Sequence, residues 1–248
     1  MNFTVLFYRK DILKKYHIAV PDTRDQLYHE ILPALFKNGK SYYQPADYAT
    51  FLYQHGGSYY TEDGMRSALD TADAYDVFVE YTQMYTQYGV PVSANFFNRF
   101  RTGEMPMGVG NYTLYLQLLT SAPELVGKWD IAPVPGIKQA DGSINRSVGG
   151  IAGECDILLK KEGGHDYSSA WKFLQWWSSE SVQRSYATQI ESLIGVESRW
   201  NTANLDVFLS LDWTPSYVRV FREIWNWARE TRTKRNVILI SNKAVENK

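Results

Sequence analysis

The sequence predicts an α/β fold, and three observations carry that prediction. Short apolar runs rich in β-branched and aromatic residues alternate with stretches whose apolar residues recur at helical spacing. Ser, Thr, Asn or Asp stand before several of those helical stretches, and Gly stands after several of them. One segment, Gly103-Glu-Met-Pro-Met-Gly-Val-Gly-Asn-Tyr-Thr-Leu-Tyr115, runs from a short apolar strand through Gly110-Asn111 into a ring-bearing helix. Further on, Ser147-Val-Gly-Gly-Ile-Ala152 opens a second strand with a glycine pair.

Each element follows from local pattern. Residues 4–8 are apolar and β-branched or aromatic, which predicts a buried strand, and Arg9 to Tyr16 can form a short helix. Thr23 and Gln26 have capping-box spacing, and Leu27, Ile31, Leu32 and Leu35 then share one helical face. Asp47 to Gln54 predicts a helix closed by Gly56 and Gly57, and Thr61 to Gly64 a turn. Asp70-Thr71 opens a helix in which Tyr75, Phe78, Val79, Thr82 and Tyr85 recur at helical spacing, stopped by Gly89 and Pro91. Asn95 to Gly103 is a short helix, Met105 to Val109 a strand, Tyr112 to Ser121 a helix and Trp129 to Pro133 a strand. Pro135-Gly136 and Asp141-Gly142 mark a turn-rich connection, and Val148 to Lys160 reads mostly as strand. Four helices follow: Tyr167 to Trp177, with Trp171, Leu174 and Trp177 on one face; Ser179 to Gln189, capped by Ser178 or Ser179; Asn204 to Leu211; and Ser216 to Ala228. After Ala228 the chain turns basic and polar, with a brief apolar patch at Val237 to Ile240. That tail fits a strand, an appended sequence or a discontinuity equally.

Composition narrows the function. The chain has 248 residues and a formal net charge of -1, which argues against nucleic acid and anionic membrane as partners. Aromatic residues make up 15% of it, including 18 Tyr and 8 Trp. Such rings cover the apolar faces of sugars and other flat ligands, and they also fill cores. Cys155 is the single cysteine, so neither an internal disulfide nor a CxxC zinc site is available. The four histidines, His17, His29, His55 and His165, have no metal-ligand spacing. No GxSxG elbow, phosphate loop or dinucleotide fingerprint appears, and no carboxylate pair is marked as a glycosidase centre. The expectation is no catalytic residue, no metal and no cofactor. No apolar run is long enough to span a bilayer, and the N-terminus does not read as a signal peptide.

Several segments in order resemble one family. Leu6-Phe-Tyr-Arg-Lys-Asp-Ile-Leu13, followed by Pro21-Asp-Thr-Arg-Asp-Gln-Leu27, is similar to a strand, a short helix and a "Pro-x-Thr-Trp-x-Glu-Leu" helix start, with Arg24 and Gln26 where Trp and Glu are usual. Gln44 precedes a helix ending in His55-Gly-Gly57. Arg99 to Met107 resembles "Phe-x-x-Gly-x-x-Ala-Met", Gly110-Asn111-Tyr112 stands in place of a glycine turn plus Trp, and Ala170-Trp-Lys-Phe-Leu174 resembles "Ala-Ala-Trp-x-Phe-Leu-x-Trp". From residue 5 to about 228 the chain resembles an extracellular solute-binding protein of a carbohydrate ABC transporter.

The resemblance implies a two-lobed fold of the type II periplasmic-binding-protein kind, truncated at its N-terminus. It implies residues 1–146 as the second (C-terminal) lobe, 147–195 as a remnant of the first lobe, 196–228 as a return to the second lobe, and 229–248 as an atypical tail. Family members carry a signal, often with a lipobox cysteine, and most of a first lobe; this chain reads as lacking them. The implied role is a non-enzymatic sugar- or oligosaccharide-binding component of an importer, extracellular and attached to the cell surface, with ABC permease subunits as partners. A carbohydrate-active enzyme and a structural interaction module are the alternatives. The expected ligand-binding residues are Gln44, Tyr48, Asn111, Tyr112, Tyr115, Gly149, Gly150 and Tyr217. For Tyr112 and Tyr115 the competing expectation is packing of their helix on the sheet, and for Gln44 and Asn111 it is turn capping. Gly149 and Gly150 either admit the ligand close to the backbone or only set the chain's conformation.

Overall fold

In a computed structural model of the chain, which describes residues 3–148, 156–159 and 166–227, strand β1 (Thr4–Arg9) passes directly into helix α1 (Lys10–Tyr16). Thr23 then starts α2 (Arg24–Gln26) with the capping box that the spacing predicts. Its hydroxyl accepts the Gln26 N–H at 3.2 Å, while Gln26 Oε1 accepts the Thr23 N–H at 3.2 Å. A widened π turn, Leu27–Ile31, leads into α3 (Leu32–Lys37). Pro33 has no N–H to give to the preceding turn, and the widened turn just before it accommodates the missing bond. Leu27, Ile31, Leu32 and Leu35 are all buried, as their periodicity requires.

Strand β2 (Tyr42–Tyr43) precedes α4 (Tyr48–Gln54), which Asp47 caps, and Thr71 caps α5 (Ala72–Thr86). Asn95 caps α6 (Phe96–Thr102), and Gly103 closes it in the left-handed region at φ 75°. Strand β3 (Met107–Asn111) runs into α7 (Tyr112–Ser121), capped by Asn111. Strand β4 (Trp129–Ala132) and a small hairpin of β5 (Ile137–Lys138) and β6 (Ile144–Asn145) follow. The last helices are α8 (Ser168–Trp177), α9 (Glu180–Ile194), α10 (Leu205–Ser210) and α11 (Pro215–Asn226).

The main sheet has the order β2-β3-β1-β4. Strand β2 is parallel to β3, and β1 is antiparallel to both β3 and β4, so β2, β3 and β4 point one way and β1 the other. Alternation along β1 divides the interior into two cores. Phe3, Val5 and Phe7 face a ring-rich core shared with α6, α7, α10 and α11; Leu6 faces a second core shared with α1, the π turn, α3, α4 and α5. Helix α11 closes the first core through Phe221, whose ring centroid lies 4.7 Å from that of Phe3.

Three expectations need correction. In α5 the buried face is Ala74, Val77 and Met84, whereas Tyr75 and Phe78 of the expected stripe are exposed. Small residues at 74 and 77 let α5 approach α4 closely, and the larger rings stay at the margin of the contact. The turn-rich connection contains the β5–β6 hairpin, too short to leave an alternating pattern. Residues 156–159, expected in a strand, lie beside none and are exposed; the neighbouring 149–155 and 160 lie outside the described residues.

Candidate functional site

The carboxyl ends of β2, β3 and β4 and the start of β1 meet at one edge of the sheet. A cleft of about 570 Å3 opens there, in the position where open α/β sheets take their ligands. Gln44 follows β2, Asn111 ends β3, Pro135 lies beyond β4, and Thr4 begins β1; all four line the cleft. The topology also brings three helix caps, Asp47, Asn95 and Asn111, into the same wall.

One side of the wall is aromatic. The rings of Tyr43 and Phe96 stack with centroids 4.9 Å apart and planes 20° apart, and Phe97 stands beside them. Gly108 on β3 makes that stack possible. A Cβ there would meet Phe96 Cζ at 2.6 Å and the Tyr43 Cβ at 2.7 Å.

Two amides of the wall cap helices through their oxygens. Asn111 Oδ1 accepts the Leu114 N–H at 3.3 Å and Asn95 Oδ1 accepts the Asn98 N–H at 3.1 Å. A backbone N–H can only donate, so these two bonds engage the side-chain oxygens, and among the described residues neither NH2 group is committed to a protein acceptor. Gln44, 8% exposed, takes the Tyr42 hydroxyl on its Oε1 at 3.2 Å.

Among the described residues, Arg24 and Asp47 are the charged members of the wall. The Asp47 carboxylate accepts the Ala49 N–H at 3.0 Å and the Thr50 hydroxyl at 2.6 Å. Arg24 donates through Nε to Gln54 Oε1 at 2.5 Å, and through Nη1 to Glu80 Oε1 at 3.2 Å and the Tyr28 hydroxyl at 3.4 Å. Burial alone would raise the Glu80 carboxyl, but the hydrogen bond from His55 at 2.6 Å and the charge of Arg24 outweigh it and hold it at about 2. Rings, amide donors and a single engaged carboxylate suit a polyhydroxylated ligand: the rings cover C–H faces and the amides meet hydroxyls. Among the described residues no group of three His, Cys, Asp or Glu side chains is arranged to hold a metal ion.

The structure brings Gln44 and Asn111 together and places the expected tyrosines elsewhere. Along α7 and its cap, Asn111, Leu114 and Gln117 line the cleft, while Tyr112, Tyr115 and Leu118 face the core. One helical position separates the two stripes. The Tyr112 hydroxyl donates to the Arg199 carbonyl at 2.7 Å, and its ring stacks on Tyr115 at 6.2 Å. Tyr115 packs edge-on against Trp129, Trp213 and Tyr217. Burial pushes the hydroxyls of Tyr112, Tyr115 and Tyr217 above their ordinary range, with Asp130 adding to the effect at Tyr217. Tyr48 donates to the Ala74 carbonyl at 2.9 Å and sits among Tyr59, Phe78 and Tyr81, between α4 and α5. Gly149 and Gly150, like Cys155 and His165, lie outside the described residues. Arg24, Tyr43, Asn95, Phe96 and Gln117 are wall residues that the sequence reading did not select. Only the cap position of Asn95, shared with Asn111, carried a usable signal.

Residues 1–184 match the family model for bacterial extracellular solute-binding proteins. The chain belongs to that family. Its members are binding proteins rather than enzymes, and they act outside the cytoplasm. Among curated proteins the sequence finds no match. Solved structures show the same fold for this solute-binding protein. The maltose-bound MalE3 of T. maritima superposes with a TM-score of 0.66 at 16% identity, over 97% of this chain and 63% of that one. An ABC substrate-binding protein of Listeria monocytogenes in complex with cycloalternan gives 0.65 at 18%, over 97% and 62%. The sugar-binding protein MalE of Xanthomonas citri gives 0.64 at 18%, over 96% and 60%. The solute-binding protein thus spans about three fifths of the length of these structures. Among its described residues no helix is long and apolar enough to cross a membrane.

Proposed function

We propose that this solute-binding protein takes a sugar or short oligosaccharide into the cleft at the strand ends and presents it to the permease subunits of an ABC importer. The observation that carries the reading is the wall itself, which holds the stacked Tyr43–Phe96 pair together with the side-chain amides of Gln44, Asn95 and Asn111. A pyranose offers an apolar face to the rings and a rim of hydroxyls to the amides. The bound maltose and cycloalternan in the two similar structures support the same class of ligand. In this reading residues 1–146 and 196–228 form the lobe that carries the cleft wall, and 147–195 belong to the other lobe. The packing of Phe221 on Phe3 supports that assignment. Candidate ligand contacts are Gln44 and Asn111 from the sequence, joined by Tyr43, Asn95, Phe96 and Gln117.

Calorimetric titration with maltose, maltotriose, cycloalternan, tagatose and ribitol tests the reading, alongside an assay for reducing-sugar release. Saturable binding of at least one of them without product release is the expected result. Turnover of an oligosaccharide overturns the binding reading in favour of an enzyme, and failure of all five to bind removes sugar as the ligand class.

A further inference from the structure

We infer that Arg24 is a ligand-contacting, specificity-determining residue of this cleft, whose free guanidinium nitrogen donates to an oxygen of an uncharged polyhydroxylated ligand. The inference rests on the sugar-binding reading of the cleft and sharpens it.

Arg24 is 6% exposed and lines the cleft. Its guanidinium lies over the Phe51 ring, 3.5 Å from the centroid, so the plane of the group is fixed from one side. Nε is committed to Gln54, and Nη1 to Glu80 and Tyr28. Nη2 donates to no protein atom among the described residues. It is also not a sealed donor, since no Arg24 nitrogen is among the buried side-chain atoms left without a hydrogen bond in the described residues. A buried arginine that keeps one nitrogen unpaired and reachable, in a residue that borders a cavity, has that nitrogen available to what the cavity holds.

The supports of Arg24 are themselves held. Gln54 is fully buried and its Nε2 donates to the Pro135 carbonyl at 3.2 Å, while its own carbonyl accepts Asn145 Nδ2 at 2.9 Å. The Tyr28 hydroxyl donates to the same Glu80 oxygen at 2.9 Å. A fork clamped this way loses little freedom on binding, so its remaining donor contributes more affinity than a mobile side chain would.

Charge decides which acceptor fits. Glu80 is ionised and 3.2 Å from Nη1, and Asp47 adds a second negative group to the wall. A carboxylate on the ligand would gain from Arg24 and lose to both. A hydroxyl or ring oxygen takes the Nη2 hydrogen bond without that repulsion.

The test uses the whole chain with maltose and maltotriose as neutral probes, tagatose and ribitol as small ones, and maltobionate and glucuronate as charged ones. Arg24→Lys and Arg24→Met should each weaken the neutral probes about tenfold to a hundredfold. Maltobionate should bind more weakly than maltose. In the wild-type protein, the side-chain nitrogen and Cζ resonances of Arg24 should shift on titration with a neutral probe, a readout that holds even if the variants fold poorly. Wild-type binding with unmoved Arg24 resonances overturns the inference and leaves the sugar reading standing. So does an Arg24→Lys affinity within about twofold of wild type, or tighter binding of maltobionate than maltose. If neither the six probes nor cycloalternan binds wild type, the sugar reading fails and takes this inference with it.

Discussion

Arg146 Nε and Glu223 Oε1 lie 2.8 Å apart, and through this pair α11 is tied to the edge of the sheet that carries the cleft. The same guanidinium donates through Nη1 to the carbonyls of Asp22 at 2.9 Å and Val134 at 2.8 Å, and through Nη2 to Asp22 Oδ1 at 2.9 Å. One buried side chain thus joins the segment before α2, the segment after β4, and a helix from the far end of the described chain. The two partners are unequal. Arg146 is buried, whereas Glu223 is 46% exposed. Arg146→Met strands the Val134 carbonyl and should cost about 2–4 kcal/mol. Glu223→Gln should cost under about 1 kcal/mol, as exposed ion pairs do. Urea unfolding of both variants checks this, and equal losses would contradict the asymmetry.

Acid should weaken the fold through Glu80. Its folded carboxyl titrates near 2, below its ordinary 4.5, because the His55 hydrogen bond and Arg24 charge outweigh the cost of burial. A depressed carboxyl contributes stability that is fully present above the unfolded value and is lost as pH falls through the folded one. The window therefore runs from about pH 4.5 down to about 2. At about 1.4 kcal/mol per unit the contribution is on the order of 3 kcal/mol. Urea midpoints at pH 7, 5, 4 and 3 should fall more steeply for wild type than for Glu80→Gln. Parallel curves would show that the cluster around Glu80 does not couple to folding.

What the sequence disclosed and what it hid divide along a physical line. Caps are local: Thr23 with Gln26, Asn95, Asn111 and Asn204 each stand where short-range spacing puts them, and each accepts the expected backbone N–H. The existence of β1, β3 and β4 was legible too, although β3 is shifted toward Asn111 relative to the apolar run that predicts it; the two-residue strands β2, β5 and β6 were not. The cleft is not local. Arg24, Tyr43, Phe96 and Pro135 converge only because β2, β3 and β4 end at one sheet edge, and strand order is invisible in composition or period. The rings of α7 misled for a related reason. Periodicity shows that residues 112 and 115 share a stripe, but not whether that stripe or the one holding 111, 114 and 117 faces the cleft.

Gly108 offers a direct test of the aromatic wall. Its φ is not in the left-handed region, so the requirement for glycine is space rather than backbone conformation. Gly108→Ala would drive a methyl into the edge of Phe96 and against Tyr43. The stack must open, at a cost of about 1–3 kcal/mol for an overpacked interior. Sugar affinity should fall with it, since the ring surface that covers a C–H face is displaced. Calorimetry together with the thermal midpoint checks both effects; a variant with lowered stability and unchanged affinity would exclude this ring pair from the ligand surface.

Helix α8 makes the last prediction. Trp171, Phe173 and Trp176 are 55%, 57% and 55% exposed, and the helix buries no residue fully. Trp177 alone among its rings has edge-on partners on both α9 and the segment after it, Tyr186 at 5.3 Å and Trp200 at 6.1 Å. Burying a large apolar side chain is worth roughly 1.5–3 kcal/mol, so three open rings on one short helix hold a substantial unspent driving force for association. The chain should bind the dye ANS and self-associate with rising concentration. Trp171→Lys combined with Trp176→Lys should suppress both while moving the melting temperature little, because exposed rings contribute little to the folded state. Trp177→Ala should instead lower stability and leave association in place. Light scattering and dye fluorescence across the three proteins decide it: a monodisperse wild type that binds no dye would show that this face is covered in solution.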